Sequence, residues 1–252
     1  LQPSGSKGGP RNHSNAFLPA IFQGTAIGKA GQPASEATLR NAVNTSLPRT
    51  EQERRFRLLQ KLNVAQLASR PQDDQLEAVA ESFELAWRMQ MNAPDVFDLA
   101  GEDEATKRLY GIGEKHTDDF GKQCLMARRM AEAGVRYIQV NYANESTNPR
   151  WDQHSNMHKH MDHARATDKP VAGLLADLKR HGLLDETLVW WGGEFGRTPF
   201  SPNADGRDHN PRGFTTWLAG AGVKPGISYG LTDELGDTAV ANQGHRHELH
   251  AT

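Results

Sequence analysis

The chain has 252 residues and a formal net charge of −2 at neutral pH, which is enough length for one large domain. Its near-balanced charge argues against binding to nucleic acid or to an anionic membrane, and no apolar run approaches the roughly 18 residues of a membrane span. The single cysteine, Cys124, excludes an internal disulfide and a cysteine-rich metal site. Its apolar helical neighbours predict a core position.

The first half of the chain divides into an irregular segment and a helical region. Residues 1–48 are rich in Gly, Pro, Ser and Asn, which predicts an irregular segment packed on the main domain. Residues 49–133 show helical periodicity in three stretches. The first opens on a capping-box pattern at Thr50, the second runs from about Gln72 to Met91, and the third covers Asp118–Ala133 with Gly134 as its C′ residue.

Residues 134–252 change to an α/β pattern. Runs rich in β-branched and aromatic residues predict strands over Val135–Tyr142 and Thr187–Trp191, and a further strand near Phe214–Leu218. The apolar spacing of Asp168–His181 predicts a helix between the first two strands. Strand, helix and strand at this spacing indicate a parallel unit with a right-handed crossover. We therefore expect one α/β domain in which residues 49–133 form a helical insertion.

Polar side chains follow the strand over Thr187–Trp191. Glu194 and Arg197 come just after it, and a loop rich in Pro, Gly and Asn then carries Arg207, Asp208 and His209. Ligands of open α/β sheets bind outside the carboxyl ends of the strands, which predicts a polar site here. Arg197 or Arg207 suits the bidentate binding of an oxyanion. A salt bridge to Glu194 or Asp208 explains either arginine equally well.

Histidines are concentrated in the segment WDQHSNMHKHMDH. Asp152 and His154 follow the first predicted strand, so we expect them to reach the same sheet edge as Glu194. Imidazole and carboxylate groups together suit Zn, Mn or Fe. The other histidines of the segment are expected to be solvated residues on a helix: His158, His160 and His163. Two histidines near the end of the chain are interpreted either as metal ligands or as part of a solvated helix start: His245 and His247.

Several segments carry a family resemblance over nearly the whole chain. They are FLPAIFQGTAIG (Phe17–Gly28), WDQHSN (Trp151–Asn156), LLADLKRHGLLDETLVWWGGEFGRTP (Leu174–Pro199), GRDHNPRGF (Gly206–Phe214), and LTDELGDTAV (Leu231–Val240) followed by HRHELHAT. Together they resemble a bacterial family catalogued as domain of unknown function 1501. That family is similar to sulfatases within the alkaline phosphatase superfamily, and its members are often exported by bacteria.

The resemblance implies a doubly wound, mostly parallel α/β sheet of the alkaline phosphatase and sulfatase type, with a bimetal site at the carboxyl ends of its strands. By position, Asp152 and His154 resemble the ligands before the long helix, and Glu194 resembles the Asp of an Asp-His ligand pair. Phe195 stands where the second residue of that pair is His, so His209 is a candidate replacement. The late His ligand of the superfamily is matched by His245 or His247.

The expected function is metal-dependent hydrolysis of sulfate or phosphate esters. We expect a small-molecule or polysaccharide substrate, a periplasmic or secreted location, and a divalent cofactor such as Zn, Mn or Ca. Arg197 and Arg207 are expected near the substrate anion. The ligand set expected for the metal is Asp152, His154, Glu194, Asp208, His209, His245 and His247.

Both ends of the chain are expected to be truncated. No stretch before Asp152 resembles the first Asp ligand or the nucleophile of the superfamily, so the catalytic nucleophile is expected to be missing from this fragment. The alternative function is a non-catalytic exported binding or scaffold protein that retains the fold. A third interpretation is a metal-storage or metal-sensing surface formed by the histidine runs alone.

Overall fold

The computed structural model describes residues 14–18, 22, 24–28, 32–37, 46–70, 74–144, 146, 149–201, 205–244 and 248–249. After a short 3-10 helix at Ala34–Glu36, the helices are α1 (Arg49–Ser69), α2 (Asp74–Phe97), α3 (Glu104–Leu109), α4 (Asp118–Glu132) and α5 (Lys159–Arg180). The strands are β1 (Val189–Trp191), β2 (Gly196–Arg197), β3 (His209–Asn210), β4 (Trp217–Ala219), β5 (Leu231–Thr232) and β6 (Ala239–Ala241). No helix in these ranges is both long and apolar enough to cross a membrane.

The chain divides into two compact units, and the first comprises Leu1–Asp103 and Leu125–Glu145. In it, α1 and α2 pack through stacked rings of Phe56 and Trp87, whose centroids are 4.7 Å apart. Helix α1 begins directly after Pro48, without a side-chain cap. The predicted capping box at Thr50 is therefore wrong, because the helix already begins at Arg49, with the carbonyl of Pro48 accepting the amides of Glu51 and Gln52.

The core of the first unit lies where the irregular N-terminal segment meets α4. Ile27 and Ala34 are buried against Met126, with Phe97 and Met130 packed around them. Cys124 is buried as predicted, and burial raises the pKa of its thiol. Gly134, with a φ of +83°, follows α4 as the predicted left-handed C′ residue.

The second unit comprises Glu104–Cys124 and Ser146–Thr252. Helices α3 and α5 approach closely at Gly173, where a Cβ atom would lie 2.7 Å from the carbonyl oxygen of Leu109. Asp177 is fully buried in α5 and accepts a hydrogen bond of 2.9 Å from the Tyr110 hydroxyl. Arg180 pairs with the same carboxylate at 2.7 Å. The buried charge is thus compensated, as a buried carboxylate must be.

The strands of the second unit form three antiparallel pairs, β1 with β4, β2 with β3, and β5 with β6. In the first pair Trp191 lies opposite Trp217, and their rings stack at 6.3 Å. The predicted strand over Thr187–Trp191 is present in shortened form as β1, and the strand predicted near Phe214–Leu218 is present as β4. The doubly wound parallel sheet stays a prediction, because these short pairs are too small to define the sheet type.

The predicted strand over Val135–Tyr142 is wrong. This segment is irregular and pairs with no strand among the described residues. Tyr137 within it is 79% exposed. Aromatic and β-branched residues favour a strand only where they pack on a half-buried pleated surface, and that surface is missing here.

Candidate metal centre

Two loops of the second unit are joined by backbone hydrogen bonds. The amide of Met157 donates to the carbonyl of Asp205, and the amide of Arg207 donates to the carbonyl of Gln153, both at 3.0 Å. Between these bonds, Gly206 lies so close to the other loop that a Cβ atom would be 1.8 Å from the carbonyl oxygen of His154. Only glycine fits there without moving the backbone.

The first of these loops has an unusual backbone. Trp151 and Asn156 both have positive φ, +67° and +60°, and they flank the segment that carries Asp152 and His154. Gln153, between those two residues, is 1% exposed, and its side-chain amide donates to the carbonyl of Pro149 at 2.9 Å. A left-handed conformation in a non-glycine residue costs free energy, so the surrounding packing must hold this loop in shape.

The second loop leads into β3, which pairs with β2 so that His209 lies opposite Arg197. Asn210 is 1% exposed and anchors this strand, because its side-chain amide donates to the carbonyl of Asp237 at 2.7 Å. Thr198 and Asp208 exchange two further bonds of 3.0 Å, one between their backbones and one from the Asp208 amide to the Thr198 hydroxyl. The register of β2 and β3 therefore fixes His209 beside Arg197.

The two loops bring Asp152, His154 and His209 together. Asp152 Oδ1 lies 3.0 Å from His209 Nε2 and 3.2 Å from His154 Nε2, and the two imidazole nitrogens are 3.1 Å apart. These three atoms form an almost equilateral triangle. Within the described part of the chain, this is the one group of three His, Cys, Asp or Glu residues whose ligand atoms lie within 4.8 Å of one another.

The carboxylate of Asp152 is held in its ionised form. Partial burial acts to raise its pKa, but hydrogen bonds from Arg197 and His209, together with the charges of Arg197 and His154, outweigh burial and lower the pKa to about 2. The bond from Arg197 Nη2 reaches the same oxygen, Oδ1, that both imidazoles approach. The Asp152 carboxylate is thus ionised, and can act as an anionic ligand, at any pH well above its pKa of about 2.

Two further side chains contact the imidazoles from outside the triangle. Asp208 Oδ1 lies 3.5 Å from His154 Nδ1 and accepts the backbone amide of His209 at 2.8 Å. The ring of Phe195 packs on that of His209, with centroids 4.3 Å apart. The guanidinium carbon of Arg197 lies 5.9 Å from the centroid of Phe195. Both histidine rings therefore have contacts that restrict their rotation.

The family model described as "Protein of unknown function (DUF1501)" matches residues 2–252. The chain belongs to that family. The family resemblance inferred from the motifs is thereby confirmed, whereas its sulfatase-like branch is not tested by this match. No curated protein and no solved structure matches the chain.

The structure of this family member brings together only some of the expected ligands. Glu194 is exposed after β1 and is not part of the triangle. The guanidinium of Arg207 donates to the carbonyl of Gly206 at 2.7 Å, so this arginine braces its own loop. Two expected ligands, His245 and His247, lie outside the described residues.

The histidines of α5 have a different environment from the one predicted. His158 is exposed at the start of the helix, as expected, but the rings of His160 and His163 pack on Trp151 with centroids 5.1 and 5.3 Å away. His163 is only 8% exposed. The prediction that all three are solvated is wrong for His160 and His163, because α5 begins nine residues earlier than the predicted Asp168 and turns them toward the indole.

Three residues that shape the centre were not among the predicted site residues: Trp151, Phe195 and Gly206. Sequence offered a signal only for Gly206, which precedes Arg207, Asp208 and His209 directly. A glycine immediately before a run of polar groups is typical of a place where backbone approaches backbone. The packing of Trp151 and Phe195 on histidine rings depends on tertiary contacts that no local pattern encodes.

Proposed function

We propose that this protein is a metal-dependent hydrolase of sulfate or phosphate esters in which Asp152, His154 and His209 hold a divalent ion. The observation that carries the proposal is the triangle of one carboxylate oxygen and two imidazole nitrogens with sides of 3.0 to 3.2 Å. The sulfatase-like ancestry, the doubly wound sheet and export from the cell belong to the same proposal, and they rest on the motif resemblance.

The donor atoms fit a metal ion in kind and in spacing. Nitrogen and oxygen ligands of a zinc-like ion lie about 2.0 to 2.2 Å from it, so neighbouring ligands in octahedral or tetrahedral coordination are about 2.8 to 3.6 Å from each other. The observed triangle falls inside that range. Three protein ligands also leave coordination positions for water or substrate, which is the arrangement of catalytic rather than structural zinc sites.

The ligand types narrow the choice of metal. Two imidazoles and one carboxylate suit Zn, Mn or Fe, whereas Ca takes six to eight oxygen ligands. We therefore favour a transition metal over the Ca that was also expected from sequence. A divalent ion held here would supply Lewis-acid chemistry for ester hydrolysis.

The protein groups around the ion suit an anionic ester. Arg197 lies at the edge of the triangle, and its guanidinium has N–H donors to spare beyond its bonds to Asp152 and to the carbonyl of Arg207. A guanidinium binds sulfate and phosphate oxygens bidentately and stays protonated throughout the physiological range. His154 and His209 are each 45% exposed, so the cluster is open to a substrate from solvent. We assign Arg197, and not Arg207, to the substrate anion.

The test is a metal titration followed by an ester screen on the loaded protein. Protein purified without a His tag is dialysed against chelator and titrated with Zn²⁺ and Mn²⁺, and bound metal is measured by elemental analysis. We expect one ion per chain in the wild type and none in Asp152→Ala or His209→Ala. Glu194→Ala is the matched control, because Glu194 is an exposed carboxylate outside the triangle, and it should retain the ion.

The loaded wild type is then assayed with aryl sulfates and aryl phosphates, beside Arg197→Gln. Hydrolysis by the wild type that depends on added metal and falls in the Arg197 variant supports the proposal. Stoichiometric metal without hydrolysis of any ester is the result expected of the non-catalytic binding protein and equally of a chain that lacks the nucleophile. If the wild type takes up no metal, both the proposed metal site and the proposed activity are contradicted.

A further inference from the structure

The geometry points to Asp208 as a positioning residue that orients both histidines, and not as a metal ligand. This inference rests on the proposed metal site at Asp152, His154 and His209. It replaces the expectation from sequence that Asp208 joins the ligand set. Asp208 acts on the far side of the His154 ring from the triangle.

The two nitrogens of His154 have separate partners. Its Nε2 belongs to the triangle, 3.2 Å from Asp152 Oδ1 and 3.1 Å from His209 Nε2. Its Nδ1 lies 3.5 Å from Asp208 Oδ1. A carboxylate beside one ring nitrogen favours the tautomer with its proton on that nitrogen, which leaves the lone pair of the other nitrogen for a metal.

The same carboxylate oxygen also holds His209. Asp208 Oδ1 accepts the backbone amide of His209 at 2.8 Å. One oxygen atom thus accepts the backbone amide of His209, at the start of β3, and lies 3.5 Å from the ring of His154, in the first loop. Loss of this oxygen would free the rotation of one ligand and loosen the backbone of the other.

Asp208 is itself well placed to act as a support. Its backbone is bonded in both directions to Thr198, at the end of β2. Its side chain is 53% exposed, so water competes with its contacts. We therefore expect an effect on metal affinity of the size seen for other outer-shell partners, about 10- to 100-fold, and not the complete loss that follows removal of a ligand.

Cobalt is the probe that separates a ligand from its support. Co²⁺ replaces Zn²⁺ in imidazole and carboxylate sites, and its visible absorption bands report the ligand atoms and their geometry. Wild type, Asp208→Ala, Asp208→Asn and Asp152→Ala are titrated with Co²⁺, and stoichiometry, Kd and band positions are recorded. The matched control is Asp205→Ala, since Asp205 is an exposed carboxylate in the same loop and alanine keeps the backbone carbonyl that accepts the Met157 amide.

The expected result is one Co²⁺ per chain in both Asp208 variants, with the wild-type band positions and a Kd raised 10- to 100-fold in Asp208→Ala. Asp208→Asn should recover part of the affinity, because its amide oxygen still accepts the His209 amide. Asp205→Ala should bind like the wild type. Thermal unfolding of each variant confirms that the fold is intact.

Two results overturn the inference while the metal site stands. Unchanged affinity in Asp208→Ala means that the carboxylate supports neither histidine. Loss of binding as in Asp152→Ala, or shifted bands, means that Asp208 is a ligand. A wild type that binds no Co²⁺ contradicts the proposed metal site itself, and the role of Asp208 fails with it.

Discussion

Two pairs of histidines in the same unit have opposite environments. His154 lies on a loop and His209 begins β3, and both are 45% exposed and have a nitrogen near one carboxylate oxygen. His160 and His163 lie on α5 and pack their rings on Trp151. The segment richest in histidines therefore supplies two members of the triangle, Asp152 and His154, and two rings that pack on Trp151.

The difference indicates that a candidate binding site is marked by side chains that meet at one point, and not by the number of histidines in a segment. Helix α5 places His160 and His163, three residues apart, on one face against the indole of Trp151, whereas the first loop and β3 bring nitrogens from distant positions to one point. Metal-ligand chemistry needs that common point. The following predictions test how far the two pairs differ in function, from the largest expected effect to the smallest.

Substitution of Gly206 should separate the two loops. His154 and His209 should then no longer bind metal, and the two pairs of histidines should no longer differ in function. In Gly206→Ala the added Cβ would lie 1.8 Å from the His154 carbonyl oxygen, so the loops must separate. We expect at least a 100-fold weaker metal affinity and a loss of about 3 kcal/mol in the free energy of unfolding. Isothermal titration and urea unfolding measure the two effects. Gly101→Ala, with no atom within 4 Å of the new Cβ, is the control.

Substitution of one histidine from each pair should give opposite results. His209→Ala removes an exposed ring that is a proposed metal ligand. We therefore expect metal binding to be lost while the free energy of unfolding changes little. His163→Ala removes a ring that is 8% exposed against Trp151, which should cost about 1 to 3 kcal/mol of unfolding free energy and leave Kd within threefold of the wild type. A metal affinity equally weakened in both variants would contradict the separation of the two pairs.

A lower pH should destabilise the fold through the two packed histidines of α5, His160 and His163. Burial lowers the pKa of both His160 and His163, and the positive charges nearby lower it further. Because the folded pKa lies below the unfolded value of about 6.5, the unfolded chain binds more protons below that pH, and the free energy of unfolding falls as pH decreases. Solvent screens the half-buried ring of His160, and the charge of Asp162 opposes the lowered pKa of the buried His163, so the effect is expected to stay below about 1 kcal/mol.

Unfolding in urea at pH 7.5 and pH 5.5, with chelator present, measures this pH dependence. His163→Phe keeps a ring against Trp151 but cannot take up a proton, so its stability should depend less on pH than that of the wild type. An identical pH dependence in the two proteins would assign the effect to other groups.

His158 should be the most tolerant histidine of the segment. It is exposed at the start of α5, and its atoms do not belong to the triangle. His158→Ala is expected to change the free energy of unfolding by no more than about 0.5 kcal/mol and to leave metal affinity unchanged. A weakened affinity in this variant would show that exposed histidines outside the triangle share in metal binding, as the surface interpretation of the histidine run requires.

Sequence reasoning named Asp152, His154 and His209, which the structure brings together, but it did not give their arrangement. Asp152, His154 and His209 were among the expected ligands because polar groups followed strand-like runs and glycine-rich turns. The distinction between Asp208 as a support and Asp152 as a donor depends on which ring nitrogen each carboxylate faces. The nitrogen that each carboxylate faces follows from the register of β2 and β3. Strands of two residues are too short for a sequence pattern to predict their register.

Helix positions were predictable where the end signals agreed with the apolar spacing, as at α4 and Gly134. They were not predictable at the start of α5. The apolar spacing predicted a start at Asp168, whereas α5 starts at Lys159 and holds Pro170 buried in its interior, although proline usually occurs in the first turn. Packing of the α5 face overrides the local cost of the proline.

The hydrogen-bonded contact between Asp152 and His209 spans 57 positions of sequence. The chain between them must form α5, β1 and β2 before the two loops meet, so the contact carries a large loop-closure entropy and is expected to form late in folding. A bound ion would then stabilise the native state without stabilising the folding transition state. We expect added metal to slow unfolding severalfold and to leave the refolding rate unchanged. Bound metal would then increase the kinetic stability of the protein in addition to its proposed role in ester hydrolysis.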